Sequence, residues 1–142
     1  MKNEFIPYDI ALAMKEIGFD EPCVATFHDN SGGEIEFTFG MFHHPKKNSK
    51  ANTVSGTFIG KNGCYAPLYQ QAFRWFRENH KLYGSYGTTS DSNENINGYT
   101  ISNYINGSRN NIFTDWEVGT YEEAELACLD KLIEIVEQKN EK

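Results

Sequence analysis

The chain has 142 residues, of which 39% are hydrophobic and 14% aromatic, so it can bury a core and is too apolar for a disordered chain. The 13 basic and 20 acidic side chains give a net charge of −7, which argues against binding to duplex nucleic acid. Three widely spaced cysteines form no paired framework, and no segment is apolar enough to span a membrane. We therefore expect a single intracellular domain over residues 1–142, located in the cytoplasm.

The first half of the chain predicts one helix followed by three strands. Pro7 and Gly18 frame a helix, because proline suits the first helical position and glycine the end. The runs 23–28 and 34–42 are rich in strand-forming residues and are separated by a loop with hairpin chemistry. A third strand over 53–59 follows a polar, basic loop.

The second half repeats this order, with a central helix over Pro67–Asn79 and three further strand-like runs. These runs are Leu82–Thr89, Tyr99–Ile105 and Ile112–Val118. The dipeptides Asn97-Gly98 and Asn106-Gly107 bracket the middle run and predict tight turns, because both residue types tolerate positive φ. The segment 90–97 carries no apolar period and is predicted to be a loop.

The last helix, over Tyr121–Glu137, opens with a capping box formed by Thr120 and Glu123. Glu125 falls in line with its apolar stripe, so this carboxylate is either paired or functional, or it lies in water because the stripe becomes buried one turn later. Strand runs separated by single helices predict an α+β fold, a mainly antiparallel sheet of about six strands with three helices packed on it. Four side chains are predicted to be largely buried: Phe73, Phe76, Leu129 and Ile133.

Three blocks of the sequence carry a resemblance. FIPYDIALAMKEIGFDEPC (Phe5–Cys23), APLYQQAFRWFREN (Ala66–Asn79) and YEEAELACLDKLIEIVE (Tyr121–Glu137) resemble small uncharacterised proteins of phages and prophages of Bacteroidales bacteria. The resemblance implies a gene of a phage or mobile element that is expressed in the host cytoplasm. It implies no activity and no catalytic residues.

No motif in the sequence predicts a catalytic centre, a cofactor or a metal. The run around Gly60-Lys61 lacks the first glycine and the Ser/Thr of a phosphate-binding loop, so a strand ending in a turn is the simpler interpretation. His43 and His44 are adjacent and would point to opposite faces of a strand, although both remain candidate ligand contacts on a basic loop. No serine lies in a nucleophile-elbow sequence, and an unmarked triad stays open.

Aromatic and basic residues form the main candidate site. Tyr69, Arg74, Trp75 and Arg77 lie on the central helix, and Trp116 lies on the second set of strands. Rings that stack on a base and guanidinium groups that hold phosphate are suited to a nucleotide. The alternative is that the rings are core and that Arg74 pairs with a glutamate one turn away. Tyr65, Tyr99 and Tyr104 belong to the same set.

Three functions follow from these observations. The first is a non-enzymatic protein that binds a small nucleotide-like ligand and sequesters a host immune signal. The second is an acidic inhibitor or decoy that binds a host protein, which an acidic stripe on one face would favour. The third is a small hydrolase with an unmarked site. A homo-oligomer is compatible with each of them.

Overall fold

Three helices and two three-stranded antiparallel sheets dominate the part of the chain that this computed structural model describes, residues 2–28, 33–37, 53–54, 57–58, 62–91 and 93–142. The predicted α+β class is confirmed. The chain divides into two compact units, Met1–Gln71 and Ala72–Lys142. The prediction of a single domain stays a prediction.

In the first unit, helix α1 (Tyr8–Glu16) packs on a small sheet in which β1 (Ala25–Phe27) lies between β2 (Ile35–Phe37) and β5 (Cys64–Tyr65). The ring of Tyr8 meets Phe27 edge to face at 5.3 Å between centroids. Gly18 follows the helix with a φ of 101°, a left-handed conformation that favours glycine.

The expected third strand is wrong in detail. The segment forms two very short strands, β3 (Thr53–Val54) and β4 (Thr57–Phe58), that pair antiparallel with each other. The strand β5 was not predicted, because two residues are too few to show an alternating pattern. The hairpin of β1 and β2 is confirmed by their antiparallel register, Ala25 to Phe37.

The central helix crosses the boundary between the units. Helix α2 (Tyr69–Trp75) continues as one π-helical stretch, Phe76–His80, which ends at Lys81 in a left-handed conformation. Phe73 and Phe76 are buried, as predicted.

In the second unit, β6 (Tyr83–Asp91), β7 (Glu94–Ile105) and β8 (Ser108–Trp116) form a meander with β7 in the centre, and helix α3 (Tyr121–Asn140) packs on it. The capping box of Thr120 and Glu123 is confirmed, with both of its hydrogen bonds present. Leu129 and Ile133 are buried on the inner side of α3, as predicted.

Two turn predictions had opposite outcomes. Asn106-Gly107 forms the β7–β8 turn with positive φ at both residues. The turn predicted at Asn97-Gly98 is wrong, because both residues lie inside β7, opposite Thr88 and Gly87. The predicted loop 90–97 is likewise wrong for the most part: its ends belong to β6 and β7, and Asn93, with φ of 85°, lies in the turn between them.

Candidate functional site

The β6–β8 sheet has one face covered by helices and one face that carries exposed rings. Gly84 belongs to the covered face, because a Cβ there would lie 2.8 Å from Cys128 Sγ and 2.9 Å from Phe73 Cε1. Side chains alternate between faces along a strand, and directly opposed residues share a face. Ile101 is opposite Gly84 and therefore shares the covered face. Gly98 is three residues from Ile101 on the same strand, so it lies on the other face, and Trp116 is opposite Gly98. Trp116 therefore lies on the other face, which we call the open face.

One end of the open face holds two tyrosines and an arginine. The rings of Tyr83 and Tyr104 meet edge to face with centroids 5.0 Å apart, and Tyr104 is 54% exposed. Arg109 lies directly opposite Tyr104, and its Nε donates a 3.0 Å hydrogen bond to Ser102 Oγ. Because Ser102 is fully buried, it orients the guanidinium towards the middle of the face.

Arg109 is unusual in its charge environment. It is the sole Lys or Arg between Lys81 and Lys131, in a chain whose net charge is −7. Within the described part of the chain, no carboxylate forms an ion pair with it. A planar cation that is oriented by a buried hydroxyl and not neutralised by an acid is suited to hold an anionic group.

Hydroxyl groups occupy the middle of the open face. Thr100 and Thr114 lie opposite each other, with their Oγ1 atoms 3.2 Å apart. Ser85 is opposite Thr100 on the other side and is exposed. This row offers neutral donors and acceptors, which suit the hydroxyls of a sugar.

Trp116, the last residue of β8, is 43% exposed and lies against Gly98 on the open face, which Ile96 and Glu94 of β7 continue beyond this point. A Cβ on Gly98 would be 2.5 Å from Trp116 Cε3, so the ring lies directly on the backbone of this glycine. Asn97 holds the chain here: its carbonyl oxygen accepts hydrogen bonds from the backbone amides of Glu117 and Val118, and its Nδ2 donates to Gly119 O. The Asn97-Gly98 pair therefore forms no turn and instead supports the ring of Trp116 on the surface of β7.

The structure does not assemble the residues that were predicted to form one site. Trp75 is 4% exposed, packed edge to face against Phe76 and His80, so its ring is not presented for stacking. Arg74 and Arg77 are exposed on the helical side, whereas Trp116 lies on the open face. The site predicted on the central helix remains a prediction in its own right.

The other predicted site residues are dispersed. Tyr69 is half-buried in the first unit, Tyr99 is buried against Phe113 on the covered face, and Tyr104 is on the open face. His43 and His44 lie outside the described residues. Sequence reasoning missed Tyr83, Ser102 and Arg109. Alternation along β6 and β7 could have shown Tyr83 and Ser102, whereas the register shift between β7 and β8 at Ile101 and Ser102 breaks the alternation on β8 and hides the face of Arg109 from the sequence.

Glu125 is paired. Its Oε1 accepts a short hydrogen bond from Tyr86 Oη on the covered face. Burial, and then this bond to the carboxylate, raise the pKa of Tyr86 well above its ordinary value. The ring of Tyr86 also meets Tyr121 edge to face at 5.4 Å. The pairing explains how a carboxylate is accommodated beside the apolar stripe of α3.

The thiols are poor candidates for nucleophiles. Cys23, Cys64 and Cys128 are all buried, and none of the three is in a disulfide. Burial raises the pKa of Cys64 to about 12, and burial together with nearby Glu125 raises the pKa of Cys128 to about 12. Since the thiolate is the reactive form, these raised pKa values disfavour Cys64 and Cys128 as nucleophiles.

Membrane and metal features are absent from the described residues. No helix there has the length and apolar character needed to cross a membrane, and no group of three or more His, Cys, Asp or Glu side chains in the same part of the chain could hold a metal ion. Comparisons with protein families, curated proteins and solved structures found no match.

Proposed function

We propose that this chain is a non-catalytic protein that binds a nucleotide-like ligand on the open face, with the phosphate at Arg109 and a ring on Tyr104. The observation that carries the proposal is Arg109 itself: it is oriented by buried Ser102, lies opposite an exposed tyrosine and has no ion-paired carboxylate among the described residues. Nucleotides combine a planar ring with an anion, and this end of the face offers a contact for each.

The expected strength of these contacts is modest. Stacking of one base on an aromatic side chain contributes about 1–3 kcal/mol, and a hydrogen bond to a charged group about 1.5–3 kcal/mol. Their sum corresponds to a dissociation constant near the millimolar range, before the cost of immobilising the ligand. A protein that uses only this end of the face would be a weak binder of mononucleotides.

Binding, and not turnover, fits the chemistry of the face. Between Tyr104 and Gly98 its described side chains are rings, hydroxyls, one guanidinium and the amide of Asn111, and Ile96 and Glu94 continue the face beyond Gly98. The buried thiols Cys64 and Cys128 have raised pKa values. In a host cell, a phage-encoded protein of this kind would sequester a nucleotide signal of the immune response. The resemblance to phage and prophage proteins implies this cellular setting and no activity of its own.

Calorimetric titration of adenosine and guanosine monophosphates into parent protein and into Arg109→Gln tests the proposal. We expect at least a tenfold loss of affinity in the variant, because the phosphate loses its charge-assisted contacts. The matched control is the double variant Arg74→Gln, Arg77→Gln, which removes two exposed arginines from the helical side. If the control loses affinity and Arg109→Gln does not, the site lies on the central helix and the open face is not involved.

An acidic stripe on α3 favours the decoy as a second candidate function. Four exposed acids follow each other at intervals of four, three and four residues and therefore share one helix face: Asp130, Glu134, Glu137 and Glu141. Neighbouring like charges at these spacings destabilise a helix, and acids near its C-terminus also oppose the macrodipole. Lys131 Nζ forms an ion pair with Glu134 Oε2 at 2.8 Å and offsets part of this repulsion between acids.

Such a locally unfavourable arrangement is expected where a basic partner surface supplies the missing positive charge. The test is affinity capture from a bacterial lysate with parent protein and with a variant in which the four acids are glutamine. A basic protein that is retained by the parent at low salt, and lost with the glutamine variant but not with Arg109→Gln, would support the decoy. Equal retention by all three proteins would exclude the stripe as the contact.

A further inference from the structure

We infer that the ligand of the open face is a dinucleotide, two nucleoside units joined through phosphate, whose second ring lies on Trp116. The inference rests on the proposed function and extends it from one end of the face to the other. It is carried by the order of chemical groups along β7 and by the shape of the surface around Trp116.

The surface beside Trp116 carries no side chain at two neighbouring positions, because both are glycines. Gly98 lies beneath the indole, and Gly87 is the next residue in the same row, on β6. A Cβ on Gly87 would meet no atom within 4 Å, and its backbone is not left-handed, so neither space nor conformation requires glycine there. Glycine also weakens a strand interior, and one common reason for its presence is close approach of a ligand. The two glycines and the indole thus form a flat shelf.

The groups along the face follow the order of a dinucleotide. Successive positions on β7 that share this face are Tyr104, Ser102 with the guanidinium of Arg109, Thr100 beside Thr114, and Gly98 under Trp116. Each step of two residues is about 7 Å. The sequence of contacts is therefore ring, cation, hydroxyls and ring, which matches the first base, the bridging phosphate, the second ribose and the second base of a dinucleotide, while the first ribose spans from Tyr104 to Arg109 without a contact of its own.

The charge of the face limits the length of the ligand. Arg109 provides the sole Lys or Arg between Lys81 and Lys131, while the chain carries a net charge of −7. A dinucleotide with one bridging phosphate needs one cation, whereas each further phosphate would meet no matching charge on these strands and would be repelled. A mononucleotide would reach one ring only, because the row of Ser102 and the row of Trp116 are about 14 Å apart.

The test compares adenosine monophosphate, the phosphodiester-linked dinucleotide ApA, the pyrophosphate-linked diadenosine and a neutral glucose oligosaccharide by calorimetry. We expect ApA to bind at least tenfold more tightly than the monophosphate, and more tightly than the pyrophosphate-linked compound, because the second bridging phosphate meets no matching cation on these strands. Gly87→Val puts a branched side chain on the shelf, with a Cβ that meets no atom within 4 Å, and should abolish this advantage and leave the affinity for the monophosphate unchanged.

A spectroscopic readout separates the two ends of the face. Only two tryptophans are present in the chain, and Trp75 is buried, so ligand-induced quenching of fluorescence should come from Trp116 and disappear in Trp116→Phe. Monophosphate binding that depends on Arg109, with no gain for either dinucleotide and no effect of Gly87→Val, would overturn the inference and leave the proposed function standing. Loss of Arg109-dependent binding altogether would overturn both. Competitive binding of the neutral oligosaccharide would overturn the ligand class.

Discussion

The two faces of the β6–β8 sheet are made by alternate residues of the same three strands, yet they have opposite characters. The covered face presents Ile101 and Tyr99, both buried, to the helices. The open face presents Tyr104 and Trp116, both large and exposed. A difference of one residue in register would exchange the two sets. The comparison teaches that aromatic residues in these strands do not all belong to the core, and that their parity decides which of them are available to a ligand.

The two faces also use glycine differently. Gly84 allows a close approach, because a Cβ there would be 3.1 Å or less from atoms of Cys128, Phe73 and Leu132. Gly87, on the same strand and the opposite face, has open space above it. The first glycine is explained by packing of helices on the sheet. The second has no packing explanation, which is why it supports a surface for binding.

The largest expected effect concerns core packing. Leu132→Ala removes a fully buried side chain that faces the sheet, and we expect a loss of about 2–5 kcal/mol in the free energy of unfolding. Tyr104→Ala on the open face should cost about 1 kcal/mol or less, because this exposed ring loses only its edge-to-face contact with Tyr83. Urea denaturation measures both. Similar losses for the two variants would show that the faces have been assigned wrongly.

The glycines provide the next contrast. Gly84→Val should cost about 1–3 kcal/mol because the added methyls meet side chains that are already packed. Gly87→Val should be neutral or slightly stabilising, since valine favours a strand and its Cβ would meet nothing within 4 Å. Thermal melts of the two variants compare the effect on stability of the same Gly→Val change on the covered face and on the open face. A destabilised Gly87→Val would remove the argument that this surface is kept bare for a ligand.

A smaller effect is expected from the hydrogen bond on the covered face. Tyr86→Phe leaves Glu125 without its tyrosine partner, and we expect a loss of about 1 kcal/mol. Glu125→Gln keeps an acceptor and should lose less. Tyr83→Phe is the matched change on the open face and should lose the least. If Tyr86→Phe and Tyr83→Phe are equally mild, the bond to Glu125 contributes nothing to stability.

The smallest effect is a dependence on pH. Burial, and then nearby Lys139, lower the pKa of His80, so the unfolded chain binds a proton at this residue at higher pH than the folded chain does. Stability from neutral His80 is therefore present above about pH 6.5 and is lost as the pH falls through the lowered folded value. In His80→Phe, the loss of stability between about pH 7.5 and pH 5.5 should be smaller. Lys139→Gln should raise the pKa of His80 and also reduce the loss, and an unchanged pH profile in both variants would contradict the assignment.

Local signals in the sequence were sufficient for the helices. The capping box at Thr120 and the stop at Gly18 involve residues within a few positions of each other, so their pattern is visible without the rest of the fold. The apolar spacing of α3 likewise predicted the burial of Leu129 and Ile133. The strand β5 and the split of the third strand could not be found this way, because each strand there has only two residues.

Asn97-Gly98 shows why the candidate site could not be read from local pattern. The dipeptide has the chemistry of a tight turn, and the same chemistry serves a different purpose inside β7. There the side chain of Asn97 bonds to Gly119 O, twenty-two residues away, and Gly98 makes room for Trp116. Long-range interactions of this kind override the local preference.

The sequence by itself determined the α+β class, the three helices and the capping of α3, because composition and periodicity report local conformation. Only the tertiary structure decided which aromatic residues are exposed. The register of β7 between its neighbours buried Tyr99 and exposed Tyr104 and Trp116, and it brought Arg109 to Ser102. The physical reason is that side chains alternate with a period of two, so the face of every residue depends on pairing across strands and on which side the helices pack.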